Sequence, residues 1–119
     1  MSATNSILDS TKLQLGIQPD FFPFDEQIIT DINTAFSVLN QLGIGPEEGF
    51  SISDNSTTWD EYTTDINLNM IKTYMGMKVR VMFDPPVSSF ALDSLNKQIA
   101  EFEWRMQILC DKSEVKNNV

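Results

Sequence analysis

The tripeptide Asp84-Pro85-Pro86 constrains this 119-residue chain more than any other feature. Two consecutive prolines cannot continue a helix: neither has a backbone N–H, and Pro85 pushes Asp84 out of the helical region. The two most regular apolar patterns in the sequence flank this break. Before it, Ile66, Met70, Tyr74, Met77 and Val81 recur at helical spacing, with Ile71, Met75 and Met82 as a second row and Leu68 and Val79 beside them. The spacing predicts a helix over 65–83 that is apolar around enough of its circumference to be central in a bundle. Its charges, Lys72, Lys78 and Arg80, are all basic and reach outward on aliphatic stems. Gly76 predicts close approach of a neighbouring helix. After the break, Ser88 or Ser89 caps a helix running to about Leu109. On it Leu92, Leu95, Ile99, Phe102, Met106 and Leu109 form an a/d heptad seam. Phe90 and Trp104 fall off that seam. Such a pair marks a second contact face or merely covers a flank.

The first half of the chain is read the same way. Ser6 is an N-cap for a short helix over 6–15, with Asp9 three residues on and Gly16 as its stop. Ile7, Leu8, Leu13 and Leu15 supply its apolar contacts. Pro19 to Pro23 is a turn whose Phe21 and Phe22 are expected against the core. Ile28, Ile29, Ile32, Ala35, Phe36, Leu39 and Leu42 predict an amphipathic helix over 25–42, ended by Gly43. Residues 43–58 are irregular and acidic; the alternation Phe50-Ser51-Ile52-Ser53 predicts a short strand. Thr58 and Glu61 then form a capping box with Trp59 in the first turn. Together these elements predict one all-α domain over residues 1–110. It is a small bundle of about four helices with a long acidic loop and a long C-terminal helix. A polar tail, 111–119, is expected to be unordered in a free monomer.

Charge and composition exclude several function classes. Residues 1–65 carry eleven acids and one base, Lys12; residues 66–119 carry six acids and seven bases. The net charge is −9, which makes free nucleic acid a poor ligand for the chain as a whole. The acidic excess is either a solvated face or a surface that repels a polyanion or meets a basic partner. Histidine is absent, which removes Ser-His-Asp and Cys-His catalysis and imidazole metal sites. Cys110 is the one cysteine and is read as a near-core thiol at a helix end. The pairs Asp25-Glu26, Glu47-Glu48 and Asp60-Glu61 are adjacent in sequence, so their carboxylates point apart rather than converge. Asp65 to Asn69 lacks the glycine of a calcium loop, with Met70 in its place. Met70, Met75, Met77 and Met82 fill a core and do not bind copper, since no cysteine or histidine accompanies them. The expectation is a non-enzyme with no catalytic residues, no metal and no cofactor. The N-terminus lacks the pattern of a secretory signal, and no run is long and apolar enough to span a membrane.

The run LNMIKTYMGMKVRVMFDPPVSSFALDSLNKQIAEFEWRM resembles the head–tail connector (adaptor, or head-completion) proteins of long-tailed phages and prophages of Gram-positive bacteria. ILDSTKLQLGI and FDEQIITDINTAFSVLNQLGIGPEEGFSI are similar to the opening of the same family, so the resemblance covers about residues 7–107. It implies a small helical bundle, not an enzyme, that forms a homo-oligomeric ring, usually a dodecamer. The ring would sit beneath the portal protein in the virion neck, having assembled in the host cytoplasm. It would extend the channel for double-stranded DNA, a non-specific passenger, and give the head-closure or neck protein its platform. A ring requires two different patches per subunit. The expected subunit and neck interface sets Glu47, Glu48, Phe50, Ile52, Asp54, Trp59, Asp60 and Glu61 on one side against Lys72, Lys78 and Arg80 on the other. Trp104, Arg105, Ile108, Lys112 and Lys116 are expected to dock on the portal. The alternatives are a cytosolic helical regulatory module acting as monomer or dimer, another phage morphogenesis part, and an acidic mimic of DNA.

Overall fold

Ser6 opens the fold as its sequence position predicts: its hydroxyl accepts a hydrogen bond from the Asp9 amide at 3.2 Å and starts helix α1, Ile7–Gln14. The computed structural model describes residues 5–63 and 67–117, and side chains in the final helix as far as Leu109. Asp65 and Ile66, used above for a calcium-loop test and a helical row, lie outside the described residues. Four further helices follow: α2 (Asp25–Gln41), α3 (Trp59–Tyr62), α4 (Leu68–Phe83) and α5 (Ser89–Asn117). Helices α1 and α2 end alike. Gly16 and Gly43 take φ of 81° and 86°, and the amides of Ile17 and Ile44 reach back to the carbonyls of Lys12 and Leu39. This closure requires a left-handed residue, which glycine supplies without steric cost.

Helix α4 is the middle of the molecule, as its wide apolar surface predicts. It packs against α2, α5 and α1, and α1 also lies on α2. Helix α5 packs principally on α4, so α1 and α2 form one flank of α4 and α5 the other. The core is built from Ile7, Leu8, Ile28, Ile32, Ala35, Phe36, Leu39, Trp59, Tyr74, Met75 and Val79, with Ile99 and Met106 from α5. The innermost stripe of α4 is Ile71, Met75 and Val79 with Tyr74 between. The row through Met70, Met77 and Val81 is only partly buried, because α5 covers that side with one helix where α1 and α2 supply two. Gly76 does permit close approach: the Gln14 carboxamide at the end of α1 occupies the space a Cβ would take and donates to the Lys72 carbonyl at 3.2 Å.

Five expectations are corrected. No strand forms at 50–53; the only bridge among the described residues joins Ser6 and Thr58. The Asn33 side chain stands in for a neighbouring strand: its carboxamide oxygen accepts from the Ile52 amide (2.8 Å) and its nitrogen donates to the Ile52 carbonyl (3.0 Å). Phe21 and Phe22 do not face the core but are exposed. Helix α5 does not end near Leu109 but runs on through Asn117, because the turns before it already supply a template and propagation is cheaper than nucleation. Cys110 therefore lies within α5 rather than at its end. Finally, Leu109 closes the heptad seam in sequence but is exposed; Met106 is the last buried α5 side chain among those described.

Candidate functional site

The acidic loop between α2 and α3 is braced by ring packing and by side-chain hydrogen bonds to its backbone. Phe50 and Tyr62 pack on Phe36 with ring centroids 5.1 and 4.7 Å away, and on each other at 5.1 Å. Trp59 is fully buried beside them and donates its indole N–H to the Ser10 hydroxyl at 2.9 Å. The Asn40 carboxamide donates to the carbonyls of Pro46 and Glu47 at 3.1 and 3.3 Å. Gly45, at φ 84°, lies under the Tyr62 ring, where a Cβ would come within 2.7 Å. Burial pushes the Tyr62 phenol up to about 12. At α3 the Thr58 amide donates to a Glu61 carboxylate oxygen at 2.9 Å, completing the predicted capping box.

This bracing decides where the predicted interface residues lie. Glu47, Glu48, Asp54, Asp60 and Glu61 are all exposed. Asp54 accepts from the Ser56 hydroxyl and amide, which holds its carboxyl below the usual range. Phe50 is half-buried, while Ile52 and Trp59 are core residues whose side chains present no surface. They fix the loop from beneath. Alternation and a capping box locate such residues without saying which way the rings turn.

Across the molecule, Lys78 is only partly exposed and sits 3.6 Å from Glu103 of α5, whose carboxylate also accepts from the Tyr74 hydroxyl at 2.8 Å. Burial, chiefly, and then the Glu103 carboxylate hold the Tyr74 phenol above its ordinary range. Lys78 thus clamps α4 to α5, whereas Lys72 is half-buried and Arg80 is exposed. Trp104 is 63% exposed, Arg105 lies 3.6 Å from Glu101 one turn back, and Ile108 is half-buried. Lys112 and Lys116 lie on the α5 backbone, beyond the side chains described.

Sequence reasoning missed a second surface. Lys12, the one base of the acidic half, is completely buried. Its ammonium donates to the carbonyls of Pro19 (3.0 Å) and Phe21 (2.8 Å) and pairs with Asp25 at 2.7 Å. It therefore draws the backbone of the turn inward and leaves the rings outside. Phe21 stacks obliquely on Phe24 at 5.7 Å, and Phe24 meets Phe83 edge-on at 5.4 Å. The available signal was a lone lysine among acids, followed by the run Phe21-Phe22-Pro23-Phe24 in a turn.

Among the described residues, no group of His, Cys, Asp or Glu could hold a metal ion, and no helix is long and apolar enough to cross a membrane. Among the described residues the fold displays exposed acidic and aromatic side chains on an all-α scaffold. The phage connector protein family model matches residues 7–113, and the chain belongs to that family. No curated protein and no solved structure matches it. Membership makes the chain a structural part of the phage particle that associates with other head and tail proteins.

Proposed function

We propose that copies of this chain join head to tail in a ring beneath the portal, extending the DNA channel and offering a platform to the next neck protein. The observation that carries this reading is the braced acidic edge: Glu47, Glu48, Asp54 and Asp60 project from a backbone pinned by Asn33, Asn40 and the Phe36 aromatic cluster. Fixed carboxylates on a stiff wall repel phosphates and let duplex pass without adhering. The side of the same loop faces Lys72 and Arg80 of the next copy, where opposite charge sets the register. The C-terminal half of α5, with Trp104, Arg105 and Ile108 and with Lys112 and Lys116 further along, docks on the portal. Its one-sided packing on α4 supports an external partner.

Electron microscopy of the chain mixed with the portal protein of the same gene cluster tests the reading. A ring stacked coaxially on the portal is the expected result, with Trp104→Ala weakening the stacking. A bare portal with free subunits, even at high protein concentration, would overturn it and return the chain to a regulatory module acting alone.

A further inference from the structure

Helix α5 has two faces. Ile99 and Met106 are buried on the side that packs on α4. On the opposite side stand Phe90, Lys97, Glu101, Trp104 and Ile108, within about 60° of one another around the helix axis. Phe90 is 84% exposed, Trp104 is 63% exposed and Ile108 is half-buried.

The charges on this outer face follow one pattern. Asp93, Lys97, Glu101 and Arg105 are all exposed, stand four residues apart and alternate in sign. Residues four apart form one ridge of a helix surface, and such ridges interdigitate when two helices cross at about −50°. At that crossing the ridge of one copy runs alongside the ridge of a second. Antiparallel copies centred on Ile99 set Asp93 beside Arg105 and Lys97 beside Glu101, each pair formed twice about the two-fold axis. Parallel copies in register set every charge beside its like, and a parallel shift of one turn leaves a charge unmatched at each end. The neighbouring groups do not disturb this balance. Glu103 is tied to Lys78 and Tyr74 on the α4 side, and Asp84 lies before the helix, beyond the end of the row. Arg105 leans on Glu101 within its own helix at 3.6 Å, an exposed contact that leaves both open to a second partner. The row is therefore neutral on a chain of net charge −9.

We infer that free copies of this chain pair antiparallel through the outer face of α5, with Trp104 and Ile108 on one ridge beside the charged row and Phe90 on the other. Phe90 and Trp104 together offer roughly 300 Å² of apolar surface. That falls short of the ~800 Å² per partner typical of a stable complex, so the pair forms and parts readily. It covers Trp104, Arg105 and Ile108, the side chains proposed above to dock on the portal, so pairing and docking exclude each other. This consequence rests on the proposed ring; the pair itself does not.

Sedimentation velocity of the isolated chain tests the pair. The expected result is a shift from monomer to dimer as concentration rises, weakened by high salt. Lys97→Glu alone and Glu101→Lys alone should each need about tenfold more protein to pair, since each sets like charges together. Mixing the two variants, or combining both changes in one chain, should restore the association of the parent, with circular dichroism showing that every variant keeps its helices. A monomer at every concentration, single reversals that associate like the parent, or a combined variant that does not recover would overturn the pair. Adding portal protein separates this inference from the ring. Dimers that give way to portal-bound rings are the expected result. Rings on the portal with no dimer of the free chain would overturn the pair alone, and dimers that persist beside a bare portal would overturn the ring alone.

Discussion

Replacing Lys12 with methionine keeps a stem of similar volume and removes only the ammonium. Three groups then lose their partner: the carbonyls of Pro19 and Phe21, and the Asp25 carboxylate, which is about one-quarter exposed. Each of these part-buried carbonyls, once orphaned, costs up to about 1 kcal/mol, the low end of the range for a buried group. Losing the cation beside Asp25 costs less than the ~3–5 kcal/mol of a wholly buried pair, because water reaches that carboxylate. Relief from burying the ammonium offsets part of the sum. The expected net loss is about 2–3 kcal/mol, or roughly 10 °C in Tm for a domain of this size. Urea unfolding followed by far-ultraviolet circular dichroism reads it as a lower midpoint at unchanged slope. Asp25→Asn alone should cost about 1 kcal/mol, and the double variant should cost less than the sum, since each single change leaves a partner stranded. Hydrogen exchange of the amides of Phe21, Phe22 and Phe24 should accelerate in Lys12→Met. An unchanged midpoint with unchanged exchange would refute the claim that this lysine holds the turn.

Gly45→Ala should destabilise by about 2 kcal/mol or more, since it combines a positive φ with collision against the Tyr62 ring; Gly16→Ala, at φ 81° over open space, should cost only about 1 kcal/mol. Equal losses in thermal unfolding would show that the ring can yield. Gly76→Ala should change stability by less than about 1 kcal/mol, because the gain in helix propensity is offset by displacing a flexible Gln14 side chain; adding Gln14→Ala should turn the balance toward stabilisation. Asp31 is buried, and that burial, opposed by a hydrogen bond from Gln27, raises its pKa. An acid raised in the folded state binds protons more readily there than when unfolded, so its ionisation destabilises the fold at neutral pH and this penalty fades as pH falls. Asp31→Asn should therefore be more stable than the parent at about pH 7, with the difference shrinking toward about pH 4 in denaturant titrations.

The helices were legible because each carries a local signal that tertiary packing did not override. Ser6, Gly16, Gly43, the Thr58–Glu61 box and Asp84-Pro85-Pro86 all act within a few residues of themselves, and all stand where the sequence puts them. What failed depended on long-range partners. The loop reads as a strand because the pairing groups come from one distant side chain, Asn33, which no alternation reveals. The phenylalanines read as core because hydrophobicity ranks them there; the lysine that turns them outward lies nine residues away from Phe21 and is ordinarily assigned to solvent. The choice between two rows of α4 depends on how many helices cover each side, which periodicity does not encode. The charge asymmetry was plain in the composition, but the aromatic packing that braces the acidic loop came only with the structure.

Helix α5 has a mechanical property that its packing imposes. Its last buried side chain among those described is Met106, and the helix continues to Asn117. Eleven residues of helix beyond Met106 span about 17 Å. A tilt of ~10° about Met106 would carry the far end of such a helix about 3 Å, a displacement that rotates one helix axis and leaves the packing around Trp59 and Phe36 unchanged.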